Sequence, residues 1–257
     1  MESFTKEQLD LYNRDGFIYI PAENMWSKKE LDSLVSSVEE MESWPEKPFF
    51  WMKYFEKNKD SQRILQRLEN FLDYNKPLDN LLNRNRFLNL VGELFGEEAI
   101  LYKEKINYKL AGGSGFVPHQ DASAGWKMYG QTLHISALIS IDETTKENGA
   151  LELVRGEHKK GLLGPEWKEL PSDLCLKWEK ENRWETVFTK TGDVVFFDSF
   201  VPHRSGPNNT EKPRRVIYST YAKKSEGDFR TKYYEDKRKT FPPDIEREKG
   251  VNYEYKV

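Results

Sequence analysis

Beyond residue 98 the chain breaks into short apolar or alternating runs, and turn residues separate them. The strongest run is Thr132-Leu133-His134-Ile135-Ser136-Ala137-Leu138-Ile139-Ser140-Ile141, which closes on the polar turn Lys146-Glu147-Asn148-Gly149. Ala99–Tyr102 and Ile106–Leu110 read as two strands before it. Leu151–Val154, Thr186–Phe188, Asp193–Asp198 and Arg215–Tyr221 read as strands after it. Short strands punctuated by Gly, Asn and Pro confine this part of the chain to a β-sandwich or barrel.

The first hundred residues have another character. Thr5-Lys6-Glu7-Gln8 and Ser27-Lys28-Lys29-Glu30 are capping boxes, each placing Gln or Glu three residues after a hydroxyl residue. The first opens a short helix that stops near Gly16, before a strand Phe17-Ile18-Tyr19-Ile20 ended by Pro21. After the second, Leu31, Leu34, Val35 and Val38 recur at helical spacing. The aromatic segment from Trp44 to Phe55 has no clean period and reads as irregular or as a short helix. Ile64, Leu65, Leu68 and Phe71 predict a further amphipathic helix, and Leu88, Val91, Leu94 and Phe95 another that ends at Gly96. Helices first and strands later predict helices packed outside a jelly roll. The chain is expected to be one domain over 1–257, with a mostly helical part over about 1–98, a β core over about 99–222 and a charged tail over about 223–257. That tail is expected to wrap the surface, either as a solvated segment or as a lid.

Composition narrows the partners. Lys plus Arg number 40 against 43 Asp plus Glu, so there is no electrostatic reason to expect nucleic acid or an anionic membrane. No apolar run approaches the ~20 residues of a membrane span, and Met1-Glu2-Ser3-Phe4 does not read as a signal peptide. The single cysteine, Cys175, fits a reducing compartment. A cytoplasmic protein with a small-molecule substrate is the expectation, and the sequence leaves oligomeric state open.

Chemistry concentrates in Val117-Pro118-His119-Gln120-Asp121. Residues i and i+2 of an extended segment share a face, so His119 and Asp121 can converge on one ion. His203 follows far downstream, also after a proline and an apolar run. Two histidines and one carboxylate on one face of a metal, with positions left open, is the donor set of non-haem iron(II) oxygenases. Of the other histidines, His134 lies mid-strand and reads as a core or cavity residue, and His158 as a turn residue. Arg214 and Arg215 begin the strand after His203. Guanidinium suits bidentate capture of a carboxylate, and alternation allows only one of the pair to point inward.

Taken together, these residues resemble the phytanoyl-CoA dioxygenase (PhyH) branch of the iron(II)/2-oxoglutarate-dependent oxygenases. The resemblance runs from Thr5–Gln8 and Asp15-Gly16-Phe17 through Pro118-His119-Gln120-Asp121 and Asn148-Gly149-Ala150-Leu151. It ends with His203-Arg204-Ser205-Gly206-x-Asn208 and Pro213-Arg214-Arg215. One departure is Arg155-Gly156-Glu157-His158, where the family usually has Pro-Gly-Ser-His.

The resemblance implies a mainly β fold with flanking helices, built on a double-stranded β-helix (jelly-roll, cupin-like) core. It implies a dioxygenase that hydroxylates a small organic substrate with release of succinate and CO2, using Fe(II), 2-oxoglutarate as cosubstrate and O2. His119, Asp121 and His203 would be the iron ligands and the catalytic set. Arg214, by its offset from His203, would hold the distal carboxylate of 2-oxoglutarate with Ser205, with Arg215 as fallback. Lys109 and Asn107 share a strand face that reaches the cosubstrate or an acidic substrate, and Gln120 and Trp126 are candidate substrate contacts. Related halogenases replace the carboxylate, so Asp121 favours hydroxylation. The alternative is a non-oxidative metal-binding jelly roll, an isomerase or a ligand sensor. The prime substrate is left open, with a lean toward a small polar molecule, since Glu254-Tyr255-Lys256-Val257 is no peroxisomal address.

Overall fold

The computed structural model describes residues 1–253. In chain order it contains α1 (Lys6–Asp15), β1 (Phe17–Ile20), α2 (Ala22–Met25), α3 (Lys28–Glu42), β2 (Met52–Lys57), β3 (Arg63–Glu69), α4 (Lys76–Leu82) and α5 (Asn85–Phe95). Then follow β4 (Ala99–Lys109), β5 (Phe116–His119), β6 (His134–Ser140), β7 (Leu151–Val154), α6 (Ser172–Lys180), β8 (Trp184–Val187), β9 (Val194–Asp198), β10 (His203–Ser205), β11 (Arg214–Lys223) and α7 (Arg230–Thr240). The strands form a seven-stranded sheet, β1-β9-β6-β11-β4-β3-β2, and a four-stranded sheet, β5-β10-β7-β8, both antiparallel. This is the jelly roll with flanking helices that the sequence predicts.

The large sheet is covered on both faces, so β6 and β9 are buried at every residue, His134, Ser136 and Ser140 included. Its outer face presents Ile135, Ile139, Phe196 and Ile217 to Leu34 and Val38 of α3, Leu82 of α4 and Phe87 of α5. Each of these large side chains contributes about 1.5–3 kcal/mol by burial. The alternate residues Leu138, Phe197 and Val216 face inward, onto Leu151, Leu153 and Val187 of the small sheet. Both predicted capping boxes are present, Thr5 with Gln8 and Ser27 with Glu30. Gly16 and Gly96 end α1 and α5 in the left-handed conformation, which glycine adopts without a Cβ clash.

Four expectations are corrected. The segment Ile64–Phe71 is not a helix: its first six residues lie in or directly beside β3, paired with β2 and β4. The register skips Gln66 between the Tyr54–Arg67 and Phe55–Leu65 pairs. That bulge puts Leu65 and Leu68 in the same core cluster at a spacing of three, which imitates a helix. The aromatic segment ending at Phe55 supplies β2 rather than a helix. Thus β1, β2 and β3 from the "helical" part join the main sheet. The two strands read over 99–110 are one, β4, interrupted by a bulge where the register skips Tyr102. The charged tail is docked rather than wholly solvated. Among its described residues, α7 is held by Arg230–Glu104 (2.8 Å), Lys237–Glu69 (2.6 Å) and the buried Tyr234 hydroxyl, which donates to the Glu104 carbonyl (2.9 Å), while Lys232 and Lys239 stay exposed. Its charges look solvent-seeking in sequence because their partners lie far away on β3 and β4.

Among the described residues, no helix is long and apolar enough to cross a membrane. The stretch Glu254–Val257, read above for a peroxisomal address, lies outside the described residues.

Candidate metal and cosubstrate site

Strand pairing brings the two histidines together. His119 is the last residue of β5 and His203 the first of β10, and they are direct partners across that ladder. Their rings stand 4.2 Å apart, centroid to centroid. Gln120 remains extended (φ −114°, ψ 133°), so Asp121 keeps the face of His119 even though it begins a 3-10 turn. The Ala122 N–H donates to the Ser199 carbonyl (2.9 Å) and pins that turn to the chain leading to His203. Asp121 Oδ1 is 3.7 Å from Nε2 of both His119 and His203. One ligand atom from each of the three lies within 4.8 Å of the others.

Protonation follows from the surrounding bonds. Nδ1 of His119 meets the Val117 carbonyl (2.7 Å) and Nδ1 of His203 meets the Val201 carbonyl (3.0 Å). A carbonyl only accepts, so each neutral ring carries its proton on Nδ1 and aims the Nε2 lone pair at Asp121. Burial, then the neighbouring His203, pushes His119 down to about 3, and burial lowers His203. Burial works against the Asp121 carboxylate, but His203, Lys105 and Lys103 outweigh it and hold the group below the usual range. Ser136 Oγ donates to Asp121 Oδ2 (3.2 Å) and fixes the carboxylate plane. Three electron-pair donors thus converge with no proton among them, and a divalent cation is the species that fits this donor set.

The inner faces of β4 and β11 carry the rest of the site. Their register pairs Lys109 with Arg214, Lys105 with Tyr218 and Lys103 with Thr220. Arg214 is 1% exposed, and its Nε and Nη2 have no hydrogen-bond partner, nor does Asn107 Oδ1. Arg215 turns the other way, onto both oxygens of Asp142 (2.8 Å each). Lys109 Nζ donates to Ser205 Oγ (2.8 Å) and the Gly206 carbonyl (2.6 Å). Burial, then the charge of Arg214, pushes Lys109 down to about 6. Arg214 has Tyr218 as its side-chain hydrogen-bond neighbour, and a buried guanidinium with two nitrogens unsatisfied is costly, so a carboxylate seated against it supplies the missing acceptors. The residues fit a dicarboxylate whose distal end reaches Arg214.

On the other side of the three donors a cavity of about 940 Å³ opens, lined by His119, Asp121, Lys103, Lys105, Trp126 and Tyr233 among others. Lys103 and Lys105 escaped the sequence reading. The signal was present: they continue, by steps of two, the strand face already assigned to Asn107 and Lys109. Trp126 is buried on this wall. Gln120 has its amide spent on backbone: Nε2 donates to the Gly161 (2.9 Å) and Phe200 (2.6 Å) carbonyls, and Oε1 accepts from Leu163 N–H (2.7 Å). It braces two loops, those at residues 161–163 and at Phe200, around the donor set. His134 is buried behind Trp126, its Nε2 against Gln131 Oε1 (2.7 Å), and His158 sits in a 3-10 turn packed on Gly16.

The chain is similar to known proteins over most of its length. The profile described as phytanoyl-CoA dioxygenase (PhyH) matches residues 12–216. The chain is 38% identical over 254 residues to the 2-aminoethylphosphonate dioxygenase of Uncultured bacterium HF130_AEPn_1, covering 98% of this chain and 95% of that one. It is 39% identical over 241 residues to the methylphosphonate hydroxylase of Gimesia maris, covering 93% and 88%. Among solved structures, EctD from S. alaskensis with 2-oxoglutarate and 5-hydroxyectoine superposes with a TM-score of 0.75 at 20% identity, over 87% of this chain and 77% of that one.

Proposed function

Because the chain belongs to the phytanoyl-CoA dioxygenase family and is an iron(II)/2-oxoglutarate-dependent dioxygenase, we propose that its prime substrate is a small organophosphonate, hydroxylated at a carbon near phosphorus. When bound, iron(II) and 2-oxoglutarate turn dioxygen into an oxidant for a substrate C–H bond, with succinate, CO2 and the alcohol as products.

In this reading His119, Asp121 and His203 hold the iron, and Ser136 keeps the Asp121 carboxylate in place. Arg214 takes the distal carboxylate of 2-oxoglutarate. Lys109 and Ser205 stand beside it as a bonded pair, and Asn107 lines the passage toward the metal. Lys105 and Lys103 receive the phosphonate, and Trp126 walls the alkyl group. Gln120 acts as a brace and not as a substrate contact. The chain works as one catalytic domain, and its buried free thiol at Cys175 suits a reducing cytoplasm.

The observation that carries the substrate assignment is the cationic cavity end of β4. Lys103 and Lys105 both act on the Asp121 carboxylate. Among the described residues, Lys105 has no carboxylate within salt-bridge distance, and its ammonium lies 5.0 Å from the Tyr218 ring centroid. A phosphonate dianion supplies two charges and three acceptor oxygens to such a pair, and Lys serves as a point charge for phosphate-like groups. The two phosphonate-named relatives support the same class.

The test is a panel of methylphosphonate, ethylphosphonate, the corresponding carboxylates and an acyl-CoA, with iron-loaded protein, 2-oxoglutarate and air. Succinate should form in step with hydroxylated product for the phosphonates alone. Equal or better coupling with a carboxylate or the acyl-CoA would overturn the substrate assignment.

A further inference from the structure

We infer that Lys103 occupies, from within the protein, the place a substrate ammonium would otherwise take, so that the pocket selects plain alkylphosphonates over ω-aminoalkylphosphonates. The inference rests on the phosphonate reading above.

The cavity wall next to Lys103 has the makings of an ammonium site. Trp126 and Tyr233 border one corner of the cavity, and the buried Tyr102, 5.9 Å from Trp126 and 5.0 Å from Tyr233 centroid to centroid, backs both. His134 stands edge-on to Trp126 at 3.9 Å and fixes that indole from behind. Aromatic faces of this kind attract a cation through the ring quadrupole. A cation is already there: Lys103 Nζ is 4.8 Å from the Trp126 centroid and 5.5 Å from the Tyr233 centroid.

The carboxylates of the wall are matched as well. Among the described residues lining the cavity they are Asp121, Glu166 and Asp236. Asp121 belongs to the donor set. Asp236 accepts from Lys232 (2.8 Å) and from the Tyr129 hydroxyl (3.1 Å), and Glu166 faces Lys127 at 3.9 Å. A substrate amine would meet aromatic faces already shared with Lys103, carboxylates that already have lysine neighbours, and like charge from Lys103 and Lys105. An alkyl chain of the same length meets only the rings. The phosphonate gains from both lysines in either case, so discrimination falls on the far end of the substrate.

Ethylphosphonate and 2-aminoethylphosphonate differ by the amine alone. Their kcat/KM values, and their affinities from quenching of tryptophan fluorescence in anaerobic iron- and 2-oxoglutarate-loaded protein, form the test. The wild type should favour ethylphosphonate by about tenfold or more. Lys103→Ala vacates the corner and should shift that ratio toward 2-aminoethylphosphonate by about tenfold. Lys103→Met, which refills the corner with a neutral chain, should weaken both without that shift, and Lys103→Arg should keep the wild-type order. Thermal melts of each variant separate these outcomes from unfolding. A wild type that prefers 2-aminoethylphosphonate, or a ratio unchanged in Lys103→Ala, overturns the inference and leaves the phosphonate reading standing. If no phosphonate binds the wild type, that reading fails and this one with it.

Discussion

The inner face of β4 offers cations at both ends, and the two ends treat them differently. At the Lys109 end the charges are sealed: Lys109 and Arg214 are 2% and 1% exposed, and Arg214 keeps unpartnered donors. At the Lys103 end, roughly 20 Å away along the strand, the lysines are only half-buried and rest on aromatic rings in an open cavity. A sealed, desolvated guanidinium, with Lys109 beside it ready to take up a proton when an anion binds, strongly prefers one anion of fixed shape, which suits a cosubstrate shared across a family. A wetter pair bounded by rings and by α7 discriminates by the outline of the ligand, which suits a substrate that varies between relatives. The family profile ends at residue 216, before α7 (Arg230–Thr240) begins, and α7 contributes Tyr233 and Asp236 to the open end.

The largest effect should come from the point between the two ends. Asp121→Ala should bring succinate formation to background while the melting temperature stays near or above the wild-type value, because a buried carboxylate is removed from between two imidazoles. Next is the sealed end. Arg214→Ala should weaken 2-oxoglutarate binding on the order of a hundredfold or more, as expected when one partner of a buried charge pair is lost. Arg215→Ala should instead lower stability through its Asp142 pair and leave 2-oxoglutarate affinity within a few-fold. The reverse ranking would mean that the inward register of β11 is misread.

The open end should respond more gently. Lys105→Met should raise the phosphonate KM about tenfold, the worth of one charged hydrogen bond, with 2-oxoglutarate affinity unchanged. Loss of cosubstrate affinity instead would erase the distinction between the ends.

The smallest effect concerns pH. Lys109 sits at about 6 in the fold, below its ordinary value. The unfolded chain therefore binds more protons between about pH 6 and 10.5, and stability of the ligand-free protein should rise with pH across that window. Below pH 6 both states are protonated and the dependence vanishes. Lys109→Met should flatten the rise in melting temperature. A bound cosubstrate carboxylate favours the charged lysine, so 2-oxoglutarate affinity should fall as pH climbs above about 6, and isothermal titration across that range checks it.

How much of this was legible depended on whether the relevant contacts were local. His119 and Asp121 share a face by a rule that needs only their spacing, and the capping boxes at Thr5 and Ser27 are complete within four residues. The choice between Arg214 and Arg215 was open from alternation alone. It turns on which side of β11 faces the small sheet, a tertiary fact expressed by Arg215 pairing with Asp142. Leu65 and Leu68 misled because a bulge at Gln66 changes the period of a strand. The tail misled because Arg230 and Lys237 find Glu104 and Glu69, more than a hundred residues away in sequence. Lys103 and Lys105 were hidden in plain alternation: nothing local separates a cavity lysine from a solvated one.

The central claim is that two strand-paired histidines and one aspartate grip a single iron, with Arg214 holding the cosubstrate beside it. A crystal structure grown anaerobically with iron(II) and 2-oxoglutarate, with anomalous data at the iron edge, tests it directly. The account predicts one anomalous peak bonded to Nε2 of His119, Nε2 of His203 and a carboxylate oxygen of Asp121, and the distal carboxylate of 2-oxoglutarate on Arg214. An iron peak away from these three side chains, or a cosubstrate carboxylate seated on Lys105 with Arg214 left bare, would contradict it.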